Sequence, residues 1–499
     1  MDVLFSTLTL VTFFPLLGVL ALAFIPAERK DALRWTALGA SLVTFALSLV
    51  MLAQFRAGDP GFQLAVRAPW FALGPLAVEY HLAVDGISVL LVLLTTFLTP
   101  IAIASTWRAV EERVKEFMIF FLLLETGMLG VFVALDLFLF YIFWEFTLLP
   151  MVFLIGIWGG ERRTLAAVKF FLYTFAGSIF MLVAILWLGL TYGTFSTPEL
   201  MARGIPAGAQ LLPFVAFALA FAIKVPLWPL HSWLPDAHVE APTAGSVILA
   251  GVLLKLGTYG FVRFNLGLFP EAAVQLAPLF GVLAVIGILY GAIVSYAQPD
   301  AKKLVAYSSV SHLGFVMLGI FALNPLGLQG AILQMVNHGL STGALFLLVG
   351  FIYERRHTRL LAEFGGLWKV MPAYAALSLV VVLSSLGLPG LNGFVGEFTI
   401  LLGAWNGYGN GLFAGFAAVG VILAAIYMLW YFQKMFQGEI THAENKALTD
   451  LTPRELALLV PVLILIFWIG LYPQPFFDLM APAVNELALG LQAAAVAAK

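Results

Sequence analysis

Apolar runs of about 20 residues, cut off by proline, glycine or charge, follow one another along almost the whole chain. About 20 residues of helix rise roughly 30 Å, the thickness of a bilayer's hydrocarbon core. Of the 499 residues, 62% are hydrophobic and 10% charged, whereas about a quarter of a soluble domain is charged. The chain reads as an all-α polytopic membrane protein with about fourteen transmembrane helices. The expected spans are 3–26, 32–53, 84–107, 116–135, 136–157, 166–192, 212–230, 243–264, 273–297, 302–323, 328–352, 373–402, 412–436 and 455–479. The first run lacks a basic region before it and a small-residue cleavage site after it, so 3–26 is expected to span and not to be removed as a signal.

The basic residues test this count independently. With fourteen spans, alternate loops share a side, and 18 of the 25 lysines and arginines fall on one of them, from Arg29 to Arg454. Arg56, Arg67, Arg203, Arg263 and Lys499 fall on the other. One span too many would scramble the segregation from that point on. The positive-inside rule predicts a cytoplasmic basic side and both termini outside.

Two spans are interrupted. The seventh contains AIKVPLWPLHSWLP with Pro226 and Pro229, and the twelfth contains SSLGLPGLNGFVGEF with Pro389 and four glycines. Proline inside a helix removes a backbone bond, which lipid tolerates only where protein or water satisfies the freed groups. The breaks are five spans apart, so they run in opposite directions. That is the arrangement of inverted repeats with paired broken helices. Spans four to eight (116–265) and nine to thirteen (266–437) form the two expected five-helix units. A three-helix segment (1–115) precedes them, and the fourteenth span with a short tail (438–499) follows.

Lys224 and Lys255 are the two remaining basic residues, and both lie inside otherwise uncharged runs. A lysine at the bilayer centre costs about 2.5–3.5 kcal/mol on insertion scales, so it needs a partner or a wet cavity. Glu145 is central in the fifth span, His312 in the tenth and His338 in the eleventh, and Glu397 lies beyond the break of the twelfth. Such a row of titratable groups fits a proton wire. The plainer readings are a structural Lys224–Glu145 ion pair, a snorkelling Lys255, a helix-end Glu397, and histidines satisfied by neighbours such as Asn337 and Ser341. Buried ion pairs are poor stabilisers, which favours a functional Lys224. Glu125 in the fourth span is expected to be an interhelical hydrogen-bond partner. His231 and His238 follow the first break near the basic side, where they either admit protons or sit in a polar loop.

There is no cysteine, which excludes thiolate-held iron–sulfur clusters. No G-x-G-x-x-G or P-loop pattern and no metal-ligand spacing occurs, so the chain itself is expected to hold no cofactor and no metal.

The strings KVPLWPLHSWLPDAHVEAPTAGSVILAGVLLKLGTYG, LDLFLFYIFWEFTLLPM, QPDAKKLVAYSSVSHLGF and LPGLNGFVGEF carry a resemblance. Over about residues 116–471 the chain resembles the antiporter-like subunits of respiratory complex I, the proton-pumping NADH:quinone oxidoreductase. Subunits of multi-subunit cation/proton antiporters and membrane-bound hydrogenases share this core and form the alternative. Most paralogues have lysine where this chain has Glu397. Glutamate there is similar to the M branch, the counterpart of mitochondrial subunit 4. The resemblance implies Glu145 and Lys224 as a carboxylate–lysine pair, Lys255 as central relay, His312 and His338 as connecting groups and Glu397 as distal terminus. Of the two histidines after the break, His231 is taken as the candidate. The resemblance further implies a translocase subunit in the bacterial inner membrane, with sister L- and N-type subunits as partners. NAD, FMN, iron–sulfur clusters and quinone would sit in other subunits, and a sister subunit's lateral helix would brace this one.

Overall fold

The structure, a computed structural model, describes residues 3–74 and 76–497. Lys499, assigned above to the side opposite the basic loops, lies outside them. The helices are α1 (Thr7–Phe24), α2 (Lys30–Gln54), α3 (Val89–Ser105), α4 (Val114–Val133), α5 (Leu137–Trp158), α6 (Arg163–Tyr192), α7 (Thr197–Arg203), α8 (Ala207–Lys224) and α9 (Trp233–Glu240). Then come α10 (Thr243–Leu266), α11 (Pro270–Tyr296), α12 (Ala301–Ile320), α13 (Pro325–Arg356), α14 (Pro372–Ser385), α15 (Asn392–Gly407), α16 (Leu412–Phe436), α17 (Pro453–Leu471) and α18 (Gln474–Ala497).

Thirteen of these helices are long and apolar enough to cross a membrane. The expected seventh span, 212–230, is α8 and the break after it, with α9 beyond its expected end, and the twelfth is α14 and α15 with the break between them. The central helices are buried all round: α10 and α13 expose almost nothing, while α6 and α16 turn rows of large apolar side chains outward. That is the distribution expected when lipid or a neighbouring subunit, not water, surrounds the bundle.

Two stretches depart from the sequence reading. The expected third span, 84–107, is the shorter helix α3, and an antiparallel hairpin precedes it, β1 (Gln63–Leu73) and β2 (Leu76–Val84). Arg67 ties the hairpin down through Glu79 (2.7 Å) and Glu199 of α7 (2.5 Å). Bonding to the Arg67 guanidinium holds the Glu199 carboxyl below its usual range. The expected fourteenth span, 455–479, ends early as α17, and the tail folds as α18. Met480, Ala483, Val484, Ala488, Leu491 and Ala494 form one buried stripe at helical spacing. The main chain at Leu479 abuts Gly86, and Ala483 to Leu491 share a cavity with Phe62, Asp85, Arg263 and Pro270. All of these contacts lie on the side opposite the basic loops, so α18 runs across that face although its length and apolarity suit a span.

The inverted repeat has a local signature. Asp136 caps α5 and Asp300 caps α12, each accepting from the second and third backbone N–H groups of its helix. Leu137 N donates to Phe195 O and Thr197 N to Leu135 O, both at 2.8 Å. Ala301 N donates to Arg359 O (2.9 Å) and Leu361 N to Pro299 O (2.8 Å) at the same offset in the second unit. The first pair of rungs sits opposite the basic loops and the second among them.

Close packing of α13 on α15 positions the second break. A Cβ added to Gly403 would lie 2.3 Å from the backbone nitrogen of Gly327. Backbone cannot yield as a side chain does, so Gly403→Val is expected to destabilise by about 1–3 kcal/mol or more. A lower thermal unfolding midpoint of the detergent-solubilised protein checks this.

Candidate functional site

The first break is held by polar bonds that replace those lost from the helix. Trp233 Nε1 donates to Ile223 O (2.8 Å) across it. Lys169 of α6 donates to Ser232 O (2.8 Å) and pairs with Asp236 (2.7 Å). Lys224 closes α8 and is 2% exposed. Its ammonium lies over the rings of Trp144 (5.5 Å) and Phe170 (5.4 Å), where the aromatic quadrupoles offset part of its desolvation. Glu145 follows Trp144 on α5 and is half-buried beside Ser178. Among the described residues Lys224 forms no ion pair, so the expected partner is a neighbour and not a direct contact. The sequence could not show that the ring next to Glu145 takes the contact position.

Above the break, on the basic side, a vestibule of about 520 Å³ is lined by Arg162, Glu240, Asp300, Lys302 and Arg359 among others. At its edge the buried Lys302 donates to Ala241 O (2.5 Å), at the C-terminal end of α9 where a cation is favoured. His231 packs edge-on against Tyr290, 5.0 Å between centroids. His238 is buried and stacks on Phe346 at 4.6 Å, and neither of its ring nitrogens has a partner. It is therefore enclosed in the protein and not in a polar loop.

Lys255 sits in α10 between two π-helical turns, Leu249–Leu253 and Phe261–Leu266. Such turns interrupt the regular bonding and are frequent at functional sites. The residue is 0% exposed. Its ammonium bonds Ala250 O within the first π turn and lies 2.7 Å from His338 Nδ1 of α13. It does not snorkel. The ring of His338 lies 6.1 Å from that of His312 on α12. Between them is a small polar cavity lined by Gln334, Asn337, Ser341, Ser384 and Ser385 as well as both histidines. Its volume, about 10 Å³, is roughly what one water needs.

His312 Nδ1 lies 2.7 Å from Glu397 Oε1, and its Nε2 lies 3.1 Å from the hydroxyl of Tyr427 on α16. Gln334 Nε2 donates to the same carboxylate oxygen (3.1 Å). Glu397 is 3% exposed, and Oε2 has no protein partner. It borders a groove open between α15 and α16, lined by Phe394, Phe398, Val421 and Ile422. The structure thus brings Lys255, His338, His312 and Glu397 into one row and leaves Lys224 and Glu145 in a second cluster. Glu125 is fully buried and neither carboxylate oxygen has a hydrogen-bond partner, so the expected interhelical bond is not made.

The family model for the transmembrane part of NADH:quinone oxidoreductases and Mrp antiporters matches residues 134–447. The chain belongs to this family. Within it, the chain is 48% identical to NADH-quinone oxidoreductase subunit M of Rhodobacter capsulatus, covering 97% of this chain and 96% of that one. It is 42% identical to NADH-ubiquinone oxidoreductase chain 4 of Marchantia polymorpha, covering 97% of both. A chain of respiratory complex I from Thermus thermophilus superposes with a TM-score of 0.88 at 34% identity, over 97% of this chain and 99% of that one. The Rhodobacter relative carries in its name the subunit M to which Glu397 pointed, and the Marchantia relative is a chain 4.

The sequence reading singled out neither Tyr427 nor Gln334, which contact His312 and Glu397. A tyrosine in an apolar span reads as packing. Gln334 had a usable signal, because Gln334, Asn337, His338 and Ser341 lie at i, i+3, i+4 and i+7 and so on one helix face.

Proposed function

We propose that this chain is a proton-translocating membrane-arm subunit of an NADH:quinone oxidoreductase, with the buried row as its proton path. The observation that carries the reading is the sequence of contacts Lys255–His338 and His312–Glu397, each 2.7 Å, on four helices at membrane depth. Protons are taken up from the vestibule on the basic side, past His231 and the first break, and reach Lys224 and Lys255. A protonated Lys255 gives its proton to His338 Nδ1, and the imidazole releases the other from Nε2 into the small cavity. The His312–Glu397 pair collects it, and Glu397 is the terminus. Each charge moved against 100 mV costs about 2.3 kcal/mol, so the path must be driven from outside this chain. Electron transfer from NADH to quinone in other subunits, which hold the NAD, FMN, clusters and quinone, is that drive. A shift of Glu145 relative to Lys224 is the gate, because a nearby carboxylate favours the charged lysine and its withdrawal leaves desolvation to favour release.

The sister partners are L- and N-type subunits. The membrane is the bacterial inner membrane, with the basic loops in the cytoplasm and both termini outside. Residues 116–265 and 266–437 act as the two inverted units, the first carrying the gate and the second the terminus. Lys224→Ala or Glu145→Ala in the assembled complex is expected to abolish the translocation this subunit contributes while assembly survives. Proton uptake by reconstituted vesicles, counted per NADH oxidised, reads this, and normal ratios in both variants would sink the proposal. Transport that depends on sodium would favour the cation/proton antiporter reading.

A further inference from the structure

The break in the twelfth span is bridged by a set of buried bonds, and several of its members also line the cavity beside His338. Asn392, the first residue of α15, is fully buried. Its Oδ1 accepts from Ser384 Oγ (2.5 Å) on α14, on the other side of the break. Its Nδ2 donates to Asn337 O and Ser341 Oγ on α13, each at 3.3 Å. Asn337 reciprocates, with Nδ2 donating to Asn392 O (2.7 Å) and to Gln334 Oε1 (3.2 Å). Gln334 then donates to Glu397. Ser341 and Ser384 hydroxyls meet at 2.6 Å. One asparagine side chain therefore joins both halves of the broken helix to the helix that carries His338.

The energetics favour a fixed geometry. A half-helix start leaves backbone groups without helical partners, and buried polar groups left unpaired cost about 1–3 kcal/mol each. Asn392 and Asn337 are matched donor to acceptor, so sliding α15 along α13 would break several bonds together. A merely space-filling polar cluster would not need to end on the carboxylate, yet this one does, through Gln334 on the face of α13 that holds His338.

We infer that Asn392 is a positioning residue for proton transfer: it registers α15 against α13 so that Glu397 meets His312 beside the His338 cavity. The inference rests on the proposed role of Glu397. The test compares Asn392→Leu with Glu397→Gln in the full complex reconstituted in vesicles, measuring protons translocated per NADH oxidised. NADH oxidation by a soluble acceptor normalises for assembly. Asn392→Leu is expected to lose as much translocation as Glu397→Gln at unchanged assembly. A normal ratio for Asn392→Leu beside a reduced one for Glu397→Gln overturns the positioning role. A normal ratio for Glu397→Gln overturns the proton path itself. If Asn392→Leu does not assemble, the serine decides: Ser384→Ala is expected to lower the ratio and Ser384→Thr, which keeps the hydroxyl for Asn392, to restore it. Equal ratios for the two serine variants overturn the inference.

Discussion

A complex carrying Lys255→Met is expected to oxidise NADH while losing the whole proton contribution of this subunit. Methionine keeps the length and apolar stem of lysine, so packing in the fully buried α10 is little disturbed. What it removes is the titratable group of that helix that meets His338 Nδ1, at 2.7 Å. Lys255→Arg is expected to fail equally. Arginine keeps the positive charge but does not give up its proton at any working pH. The arginine variant separates two roles for Lys255. A fixed charge that only shapes the local field would be retained by arginine, whereas a relay must load and unload. The decisive measurement is the proton-to-NADH ratio of reconstituted vesicles. Lys255→Arg at the unsubstituted ratio would rule out the relay role.

The parts of this site that were legible in the chain are those where burial is expensive. Lys224, Lys255, Glu145 and Glu397 stand out because a charge inside an apolar run demands a reason. The fourteen spans and the basic side followed from the same cost applied to backbone and loop charges. What was not legible depends on neighbours far along the chain. Lys255 and His338 are 83 residues apart, and nothing in either span states that they touch. The two π turns around Lys255 leave the apolar pattern of α10 unchanged, since every residue in it after Thr243 is buried whichever way it faces. Lys224 lies over the Trp144 ring and forms no ion pair with Glu145, a matter of helix rotation that the sequence does not state. The hairpin did have a signal in the alternating Leu76, Val78, Tyr80, Leu82 and Val84 after a Gly-Pro pair in the sequence. Residues 455–479 were read as one span and the rest as a short tail, whereas α18 starts inside that span and takes up the tail. Its one-sided burial is a property of the packed molecule.

Glu397→Gln is expected to remove nearly as much translocation as Lys255→Met, and Glu397→Asp to keep part of it. Glutamine is the same size and keeps a carbonyl oxygen that accepts from His312 Nδ1 and Gln334 Nε2, the two bonds made by Oε1. The structure of the row therefore survives, and only the capacity to bind and release a proton is gone. Aspartate retains that capacity but withdraws the carboxylate by one methylene, about 1.5 Å. The 2.7 Å contact with His312 then opens beyond a direct hydrogen bond, so transfer slows without ceasing. His312 cannot compensate by turning its other nitrogen, because Nε2 is engaged by Tyr427 at 3.1 Å. The order unsubstituted, then Asp, then Gln in proton-to-NADH ratio is thus a consequence of chemistry and reach together. An order with Gln above Asp would mean that size at position 397 matters and titration does not, and the role of Glu397 as terminus would fall.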